Sequence, residues 1–339
     1  MRGVVLAMAV TATAASAAPV GRDITAKIAA ATVRDDRFPD TPARFPDGIV
    51  ALPNVEYANL VGYRPLTLDL YRHAARGDDR RRPLVIWVHG GGWSRGDART
   101  SAAFADWPGV LGSLAARGYV VASVNYRLSG EARYPAAIKD VRAAVRHLRA
   151  NAGAYGIDPV RVILWGGSAG AYLATMAGLA CGDPAFAPEP STGRVERGGA
   201  TKASGEADCV QGIVAWYGPF DLSEYRSANV AALLGCEGEC TVSARAASPI
   251  AHIPKGAPPM LLVHGTGDTT IAADQSMKMA ERLRATGNRV ETLFIPGADH
   301  GWMRGTPEGT RDAHLVALRK SFAFMDTIAQ VTGPDATAR

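Results

Sequence analysis

Short, continuous apolar runs alternate along this chain with longer stretches in which apolar residues recur every three or four positions. Continuous runs rich in β-branched residues are typical of strands that are buried on both faces, as in a parallel sheet. The predicted strands are Leu84–Val88, Val120–Val124, Val162–Trp165, Cys209–Tyr217, Met260–Val263 and Val290–Ile295.

The stretches between these runs carry helical periodicity. In Ala136–Ala150, apolar residues from Ile138 to Leu148 are spaced by three or four positions, which predicts one buried helical face. Asp274–Ala285 and the segment from Leu315 to Met325 repeat the pattern. Strands that alternate with helices predict an α/β fold, with a mostly parallel central sheet and helices on both faces.

The two ends of the chain are predicted to differ from this alternation. Arg2, an apolar run and Ala15-Ser16-Ala17 form the pattern of a signal peptide over residues 1–17, cleaved near Ala17 or Ala18. The run is too short to span a bilayer, so a secreted or periplasmic protein is expected, with an exposed N-terminal helix as the alternative. Residues 18–48 are expected to be irregular, 49–330 to form a single domain, and 331–339 to be a tail.

Composition narrows the function classes. The 339 residues are 47% hydrophobic and 20% charged, which is ordinary for a globular protein and unlike a disordered or fibrous chain. The net charge of +5 comes from scattered basic residues, apart from Arg80-Arg81-Arg82, which is expected to be a solvated loop. Nucleic acid is therefore not an expected partner.

Four cysteines in an exported chain predict two disulfides. Cys236 and Cys240 are close enough in sequence to pair locally. Cys181 and Cys209 would then close a segment rich in Pro, Gly and Ser, an excursion from the fold without periodicity. A zinc site is the competing interpretation, but no second Cys or His pair stands at finger spacing, so no metal is expected.

Gly166-Gly167-Ser168-Ala169-Gly170 follows a predicted strand and precedes an Ala-rich segment. The pattern G-x-S-x-G in this context predicts a nucleophilic serine on a sharp strand-to-helix turn, where side chains on the flanking glycines would clash. The helix N-terminus would direct the backbone N–H of Ala169 at a developing oxyanion. A helix cap is the alternative interpretation of such a turn.

His89-Gly90-Gly91-Gly92-Trp93 directly follows the strand Leu84–Val88. Consecutive glycines let the backbone approach a substrate, and the N–H groups of Gly91 and Gly92 are the expected oxyanion donors. A flexible loop and a phosphate-binding nest are the alternatives, although no lysine stands at P-loop spacing. His89 is expected to anchor this loop rather than act as a base.

The two glycine motifs, with Asn125-Tyr126-Arg127-Leu128 between them, resemble the α/β-hydrolase fold over roughly residues 50–328. More closely, they resemble the hormone-sensitive-lipase-like esterases and the related exported carbohydrate and feruloyl esterases. The resemblance implies a carboxylic ester hydrolase whose catalytic triad occurs in the chain order serine, aspartate, histidine.

A serine hydroxyl needs a histidine to take its proton, and the imidazole needs an acid partner. Among seven histidines, His300 stands in a glycine-flanked loop after the last strand and is the predicted base. Asp268 lies in the turn after Met260–Val263, where the α/β-hydrolase fold that this chain resembles usually has the acid of its triad. Asp221, after the preceding strand, is the rival, and Asp299 is disfavoured because it adjoins His300.

Aromatic and charged side chains near these motifs have two open interpretations. Trp93 and Trp302 flank the oxyanion loop and the base, so they are either substrate-binding walls or buried packing. Tyr126 and Arg127 are expected to brace the sheet edge, with Asp140 as a partner of Arg127.

The predicted function is two-step acyl transfer by Ser168, Asp268 and His300, with no metal or organic cofactor. Short acyl or aryl acyl esters are the expected substrates, either small molecules or linked to polysaccharide. A peptidase or amidase of the same fold and a catalytically inactive binding module are the alternatives. Comparing the hydrolysis of an ester with that of a matched anilide would test the first, and labelling by a serine-directed probe would test the second.

Overall fold

The computed structural model describes residues 42–74, 80–101, 104–192, 208–236 and 240–330. Its strands are β1 (Ala43–Phe45), β2 (Ile49–Ala58), β3 (Leu66–His73), β4 (Arg82–Val88), β5 (Val120–Val124), β6 (Ile157–Gly167), β7 (Gly212–Trp216), β8 (Met260–Gly265) and β9 (Val290–Ile295). Its α-helices are α1 (Trp107–Ala116), α2 (Ala136–Ala150), α3 (Ala152–Tyr155), α4 (Ala169–Leu179), α5 (Ala228–Leu234), α6 (Thr241–Ala246), α7 (Asp274–Ala285) and α8 (Pro307–Ala329).

These strands form one sheet in the order β1-β2-β3-β5-β4-β6-β7-β8-β9. The pairs among β1, β2, β3 and β5 are antiparallel. From β5 through β4 to β9, every neighbouring pair is parallel. The predicted fold class, a mostly parallel sheet flanked by helices, is confirmed.

The central strand β4 shows why its sequence is continuously apolar. Leu84, Ile86 and Val88 belong to one core cluster, together with residues of α2, α4 and α7. Val85 and Trp87 point to the other cluster, together with residues of α1 and α8. Both faces of the strand are therefore buried, as in other parallel sheets.

Several predicted elements have the observed bounds, and others differ. The helices Ala136–Ala150 and Asp274–Ala285 and the strand Val290–Ile295 coincide with their predicted ranges. Within α7, the periodicity predicts a buried face of Met277, Ala280 and Leu283; Ala280 and Leu283 are buried, but Met277 is 48% exposed and Met279 is buried instead. The antiparallel strands β1 to β3 and the helix α1 were absent from the prediction.

Five tryptophans form a cluster on the face of the sheet that α1 and α8 cover. The ring centroid of Trp87 lies 4.5 Å from that of Trp107 and 4.7 Å from that of Trp165. Trp216 lies 4.8 Å from Trp165 and 5.5 Å from Trp302. The cluster thus connects the central strands to the loop after β9.

Both predicted disulfides, Cys181–Cys209 and Cys236–Cys240, are confirmed. Next to the first, Arg142 on α2 forms an ion pair with Asp208 at 2.7 Å, and the two side chains are 1% and 2% exposed. Residues 193–207 of the excursion lie outside the described residues. The base of the excursion is therefore held to the helix layer by a covalent bond and a buried ion pair.

The predictions for the chain ends fall mostly outside the described residues, which begin at 42 and end at 330. This applies to the signal peptide over 1–17, to residues 18–41 and to the tail over 331–339. Residues 42–48 differ from the irregular structure expected for them, because Ala43–Phe45 pairs with the start of β2 as an edge strand. Within the described residues, no helix is both long and apolar enough to cross a bilayer.

Candidate active site

Ser168 stands on the turn between β6 and α4, with a φ of 56°. A positive φ is uncommon for a residue with a side chain and points to a functional constraint. A Cβ on Gly166 would lie 2.2 Å from the carbonyl oxygen of Gly170, and a Cβ on Gly170 would lie 2.0 Å from that of Val88. Only glycine at both positions allows the sharp turn that carries the serine.

Two hydrogen bonds join Ser168, His300 and Asp268. Nε2 of His300 lies 3.0 Å from Oγ of Ser168, and Nδ1 lies 2.7 Å from Oδ2 of Asp268. When Nδ1 carries the proton and donates it to the carboxylate, Nε2 is left as an acceptor for the serine hydroxyl. The structure thus brings the three residues together in the geometry that proton transfer from serine requires.

The carboxylate of Asp268 is held by several donors. Its Oδ1 accepts the backbone N–H groups of Thr270 and Ile271 at 2.9 and 2.8 Å. Its Oδ2 also lies 3.3 Å from Nε2 of the buried His264. Burial by itself would raise the pKa of Asp268, but the hydrogen bonds from His264 and His300 outweigh it and hold the pKa well below its usual range. The carboxylate of Asp268 is therefore ionised at neutral pH.

The two other aspartates considered from the sequence have different partners. Oδ1 of Asp221 accepts the backbone N–H of Ser223 at 2.9 Å and its hydroxyl at 2.5 Å, which is an Asx-turn. Oδ1 of Asp299 accepts the backbone N–H of His300 at 2.7 Å and that of Thr269 at 2.8 Å. Asp299 therefore joins the loop after β8 to the loop after β9 through backbone N–H groups, not through the imidazole.

The backbone groups predicted as oxyanion donors surround Ser168. A Cβ on Gly90 would lie 3.3 Å from Cβ of Ser168, so the glycine loop runs directly beside the serine. Gly91 and Gly92 both have positive φ, 111° and 61°. Across the described part of the chain, the amides of Gly91, Gly92 and Ala169 donate to no protein acceptor. They remain available to an oxygen of a bound molecule.

His89 has the contacts of a loop anchor. Its ring is buried and stacks on the ring of Tyr126 at 4.3 Å between centroids. Its Nδ1 donates to the carbonyl of Gly90 at 2.7 Å, and the hydroxyl of Tyr126 donates to the carbonyl of His89 at 3.0 Å. Burial lowers the pKa of His89 to about 4, so the ring is neutral at pH 7.

Arg127 and Asp140 form the ion pair that the sequence suggested. Nη2 of Arg127 lies 2.7 Å from Oδ1 of Asp140, and both side chains are 2% exposed. Oδ2 of Asp140 also accepts the backbone N–H of Arg127 at 2.9 Å. This buried pair fixes the segment after β5 against α2, next to the glycine loop.

Ser168 and His300 open into a cavity of about 510 Å³. Its other lining residues are Trp87, Gly90, Gly91, Gly92, Arg95, Gly96, Thr100, Ser101, Gly167, Tyr217, Tyr225, Asn229 and Thr270. The lining is thus mainly glycine and polar side chains.

Trp93 and Trp302 are not part of this lining. Trp93 is 2% exposed and packs edge-on against Tyr172, at 5.2 Å between ring centroids. Trp302 is wholly buried in the tryptophan cluster. Their position corrects the prediction that they wall the substrate site, because each indole points into a core cluster rather than into the cavity.

Several lining residues were missed by the sequence analysis, among them Tyr217, Arg95 and Asn229. Tyr217 directly follows β7, and its place at a strand end is the signal that would have found it. Arg95 lies in the glycine loop four positions after Gly91, and Asn229 lies on α5. No spacing in the sequence connects α5 to the strand ends, so Asn229 had no such signal.

Comparison with known proteins gives consistent matches. The model of the BD-FAE family matches residues 68–283. LipC, an esterase of Mycobacterium tuberculosis, is 32% identical over 321 residues, which cover 88% of this chain and 75% of LipC. The same organism has two further similar proteins, the esterase LipQ and LipM, which is named a carboxylic ester hydrolase. The chain spans only about half of their lengths, 55% of LipQ and 53% of LipM.

Solved structures show the same similarity. A truncated carbohydrate esterase from gut microbiota superposes with a TM-score of 0.66 and 25% identity, covering 86% of this chain and 98% of that one. Est2, an esterase from Thermogutta terrifontis, has a TM-score of 0.66 and 26% identity, covering 84% of this chain and 94% of that one.

Proposed function

Because the chain belongs to the BD-FAE family of α/β-hydrolases and is a carboxylesterase-type serine hydrolase, we propose that its catalytic triad is Ser168, Asp268 and His300. The observation that carries the proposal is the unbroken hydrogen-bond chain from Asp268 through both ring nitrogens of His300 to Oγ of Ser168. The ionised carboxylate fixes the tautomer and stabilises the imidazolium that forms during the reaction.

The reaction proceeds in two halves. Nε2 of His300 takes the hydroxyl proton of Ser168 while Oγ attacks the ester carbonyl carbon. The tetrahedral intermediate then collapses, the bond to the alcohol oxygen breaks, and Nε2 returns the proton to that oxygen. Water repeats the same steps on the acyl-enzyme, which releases the acid and restores the serine.

The negative oxygen of each tetrahedral intermediate is held by the backbone N–H groups of Gly91, Gly92 and Ala169. Their lack of protein acceptors in the described chain supports this role. Ala169 is the first residue of α4, where the helix dipole adds to the attraction. Donors fixed in advance favour the transition state because they need no reorganisation.

The proposed substrates are esters of short acyl or aryl acyl groups. A cavity of about 510 Å³ lined mainly by glycine and polar side chains suits a small acyl group better than a long aliphatic chain. The similar gut enzyme is named a carbohydrate esterase, which favours acyl groups on sugars as one source of such esters.

We also infer that the protein acts outside the cytoplasm. The two disulfides fit an oxidising compartment. The sequence pattern of residues 1–17 fits a cleaved signal peptide.

The test of the triad is the variant Ser168→Ala, assayed on 4-nitrophenyl acetate. Loss of the nucleophile should lower kcat by on the order of 10⁵- to 10⁶-fold. In the wild-type protein, a fluorophosphonate should add its mass to the peptide that contains Ser168.

The matched control is Ser113→Ala, because Ser113 is exposed on α1, lies outside the cavity lining and donates its hydroxyl to the carbonyl of Val110 at 2.7 Å. That variant should retain both turnover and labelling. Turnover by Ser168→Ala at the wild-type rate, or labelling of a different residue, would show that another group is the nucleophile.

A further inference from the structure

Tyr217 is a cavity residue that the acyl-transfer steps do not use. It directly follows β7 with a φ of 39°, and its backbone N–H donates to the carbonyl of Val263 at 2.8 Å. A positive φ costs energy in a residue with a bulky side chain, and such strain concentrates at functional sites. The strained backbone directs the ring of Tyr217 into the site instead of along the strand.

The ring of Tyr217 is packed between the loop that carries His300 and the turn that carries Ser168. Its centroid lies 4.7 Å from that of His300 and 4.6 Å from that of Trp302, both edge-on. Its hydroxyl lies 3.2 Å from the position that a Cβ on Gly167 would occupy. The hydroxyl therefore lies beside Gly167, the residue that precedes Ser168, at the wall of the cavity.

The hydroxyl of Tyr217 has no hydrogen-bond partner among the described residues, although the residue is only 3% exposed. Four of the five other buried tyrosines are bonded within the fold: the hydroxyls of Tyr57, Tyr119, Tyr126 and Tyr172 donate to Asn125, Asp326, His89 and Ala247. The fifth, Tyr71, also has no such partner among the described residues, but it does not line the cavity. Because Tyr217 lines the cavity, its free hydroxyl is accessible to a bound molecule and can donate a hydrogen bond to it.

We propose that Tyr217 is a specificity-determining residue whose hydroxyl donates a hydrogen bond to a polar oxygen in the alcohol part of the bound ester. This assignment rests on the proposed function, because it uses the direction of the reaction. His300 must hand its proton to the leaving alcohol, and Tyr217 packs on the ring of His300. The carbonyl oxygen of the acyl group already receives hydrogen bonds from the backbone N–H groups of Gly91, Gly92 and Ala169.

The chemistry of the group fits this role. Burial raises the pKa of Tyr217, so the phenol is protonated and can act as a donor at neutral pH. An alcohol that carries a second oxygen, such as a polyol or a sugar, would satisfy the hydroxyl. A purely aliphatic alcohol would leave it unpaired, and sites built around a hydrogen bond discriminate strongly against ligands that lack it.

The test compares 2-hydroxyethyl acetate with propyl acetate. The two esters are of nearly equal size, because the first has a terminal hydroxyl where the second has a methyl group. The ratio of their kcat/KM values is measured by pH-stat titration for the wild type and for Tyr217→Phe. The variant should lower this ratio by about 3- to 10-fold, the range of one neutral hydrogen bond. The intrinsic reactivity of the two esters cancels in the comparison.

A second pair places the extra oxygen on the acyl side, 4-nitrophenyl methoxyacetate against 4-nitrophenyl butyrate. Tyr217→Phe should leave this ratio unchanged. A change here instead of in the alcohol pair would overturn the assignment to the alcohol part. Equal losses on all four esters with a shifted pH profile would mean that Tyr217 only supports His300, which would also overturn it.

Labelling of Ser168 by a fluorophosphonate is scored first in both proteins. The label reports a folded site and a working nucleophile independently of the alcohol, since it needs no alcohol group. Failed labelling of the wild type would overturn the proposed function. Normal labelling with an unchanged alcohol ratio would overturn the role of Tyr217 alone.

Discussion

The charge of Asp268 is set by a competition between desolvation and hydrogen bonding. Burial favours the neutral acid, yet the carboxylate receives two backbone N–H groups and lies beside His264 and His300. The hydrogen bonds prevail, so the pKa lies below its usual range. A residue in this state can orient an imidazole and stabilise its positive charge without taking its proton.

Replacing Asp268 by Asn should therefore keep the shape of the site but remove its charge. The amide can donate to Nδ1 of His300, which would place the proton on the wrong nitrogen. We expect kcat on 4-nitrophenyl acetate to fall by on the order of 10³- to 10⁴-fold. Steady-state kinetics of the purified variant measure the effect.

Asp221→Asn is the matched control, because it makes the same chemical change at an aspartate that contacts Ser223 rather than His300. Its kcat should stay within a few-fold of the wild type. If Asp221→Asn were the more damaging of the two substitutions, the acid of the triad would have to be reassigned.

The sequence was informative about single residues where a strand end fixed their place. Ser168, Asp268 and His300 follow β6, β8 and β9, and the carboxyl ends of parallel strands meet at one edge of the sheet. The direction of a side chain is a different matter. Trp302 turns into the core although it is two positions from His300, and the ring of Tyr217 is aimed by a positive φ that no pattern encodes.

Among the secondary-structure elements, the parallel strands were predictable because burial on both faces leaves a continuous apolar run. The antiparallel strand β3 is different: Leu66, Leu68 and Leu70 are wholly buried, while Thr67 and Asp69 alternate with them. Such a strand shows period-two alternation, which a search for continuous runs passes over. Helix α1 contains Pro108, Gly109 and Gly112, so its intrinsic helix propensity is low. Its formation therefore depends on tertiary packing, which a local pattern does not show.

The glycine loop after β4 depends on backbone conformation rather than on side chains. Gly91 has a φ of 111°, and a Cβ there would lie 2.1 Å from the carbonyl oxygen of Arg95. Gly91→Ala should therefore displace the loop and its N–H donors. We expect kcat to fall by about 10²- to 10³-fold, as for loss of an oxyanion donor, with the rate measured on 4-nitrophenyl acetate.

Gly118→Ala is the control for strain alone. Gly118 has a similar φ of 103°, but a Cβ there would meet nothing within 4 Å. This variant should lose stability in urea while its folded fraction keeps the wild-type kcat. Comparable losses of kcat in both variants would mean that strain, not the position of the donors, explains the effect.

For the molecule as a whole, the two disulfides close loops of very different length. Cys181 and Cys209 are 28 positions apart, and Cys236 and Cys240 are 4 apart. In the chain-entropy view, a crosslink stabilises by restricting the unfolded chain, and the longer loop gains more. The sequence could predict this pairing because only one of the possible partners lies close enough for a local bond.

Replacing both Cys181 and Cys209 by Ser should lower the free energy of unfolding by about 3.5 kcal/mol, against about 2 kcal/mol for the Cys236 and Cys240 pair. Urea unfolding under non-reducing conditions measures both values. The reverse order would indicate that native contacts, such as the buried pair of Arg142 and Asp208, rather than loop length, set the contribution of each bond.

The packed indoles beneath the site give the protein an optical probe of its own. Five of its six tryptophans share one layer, in which Trp302 follows His300 by two positions and Trp216 precedes Tyr217. Indoles at these separations couple electronically, so their emission and near-ultraviolet dichroism report on this layer collectively. We therefore expect a displacement of the loop that carries His300 to change this signal in the unlabelled enzyme.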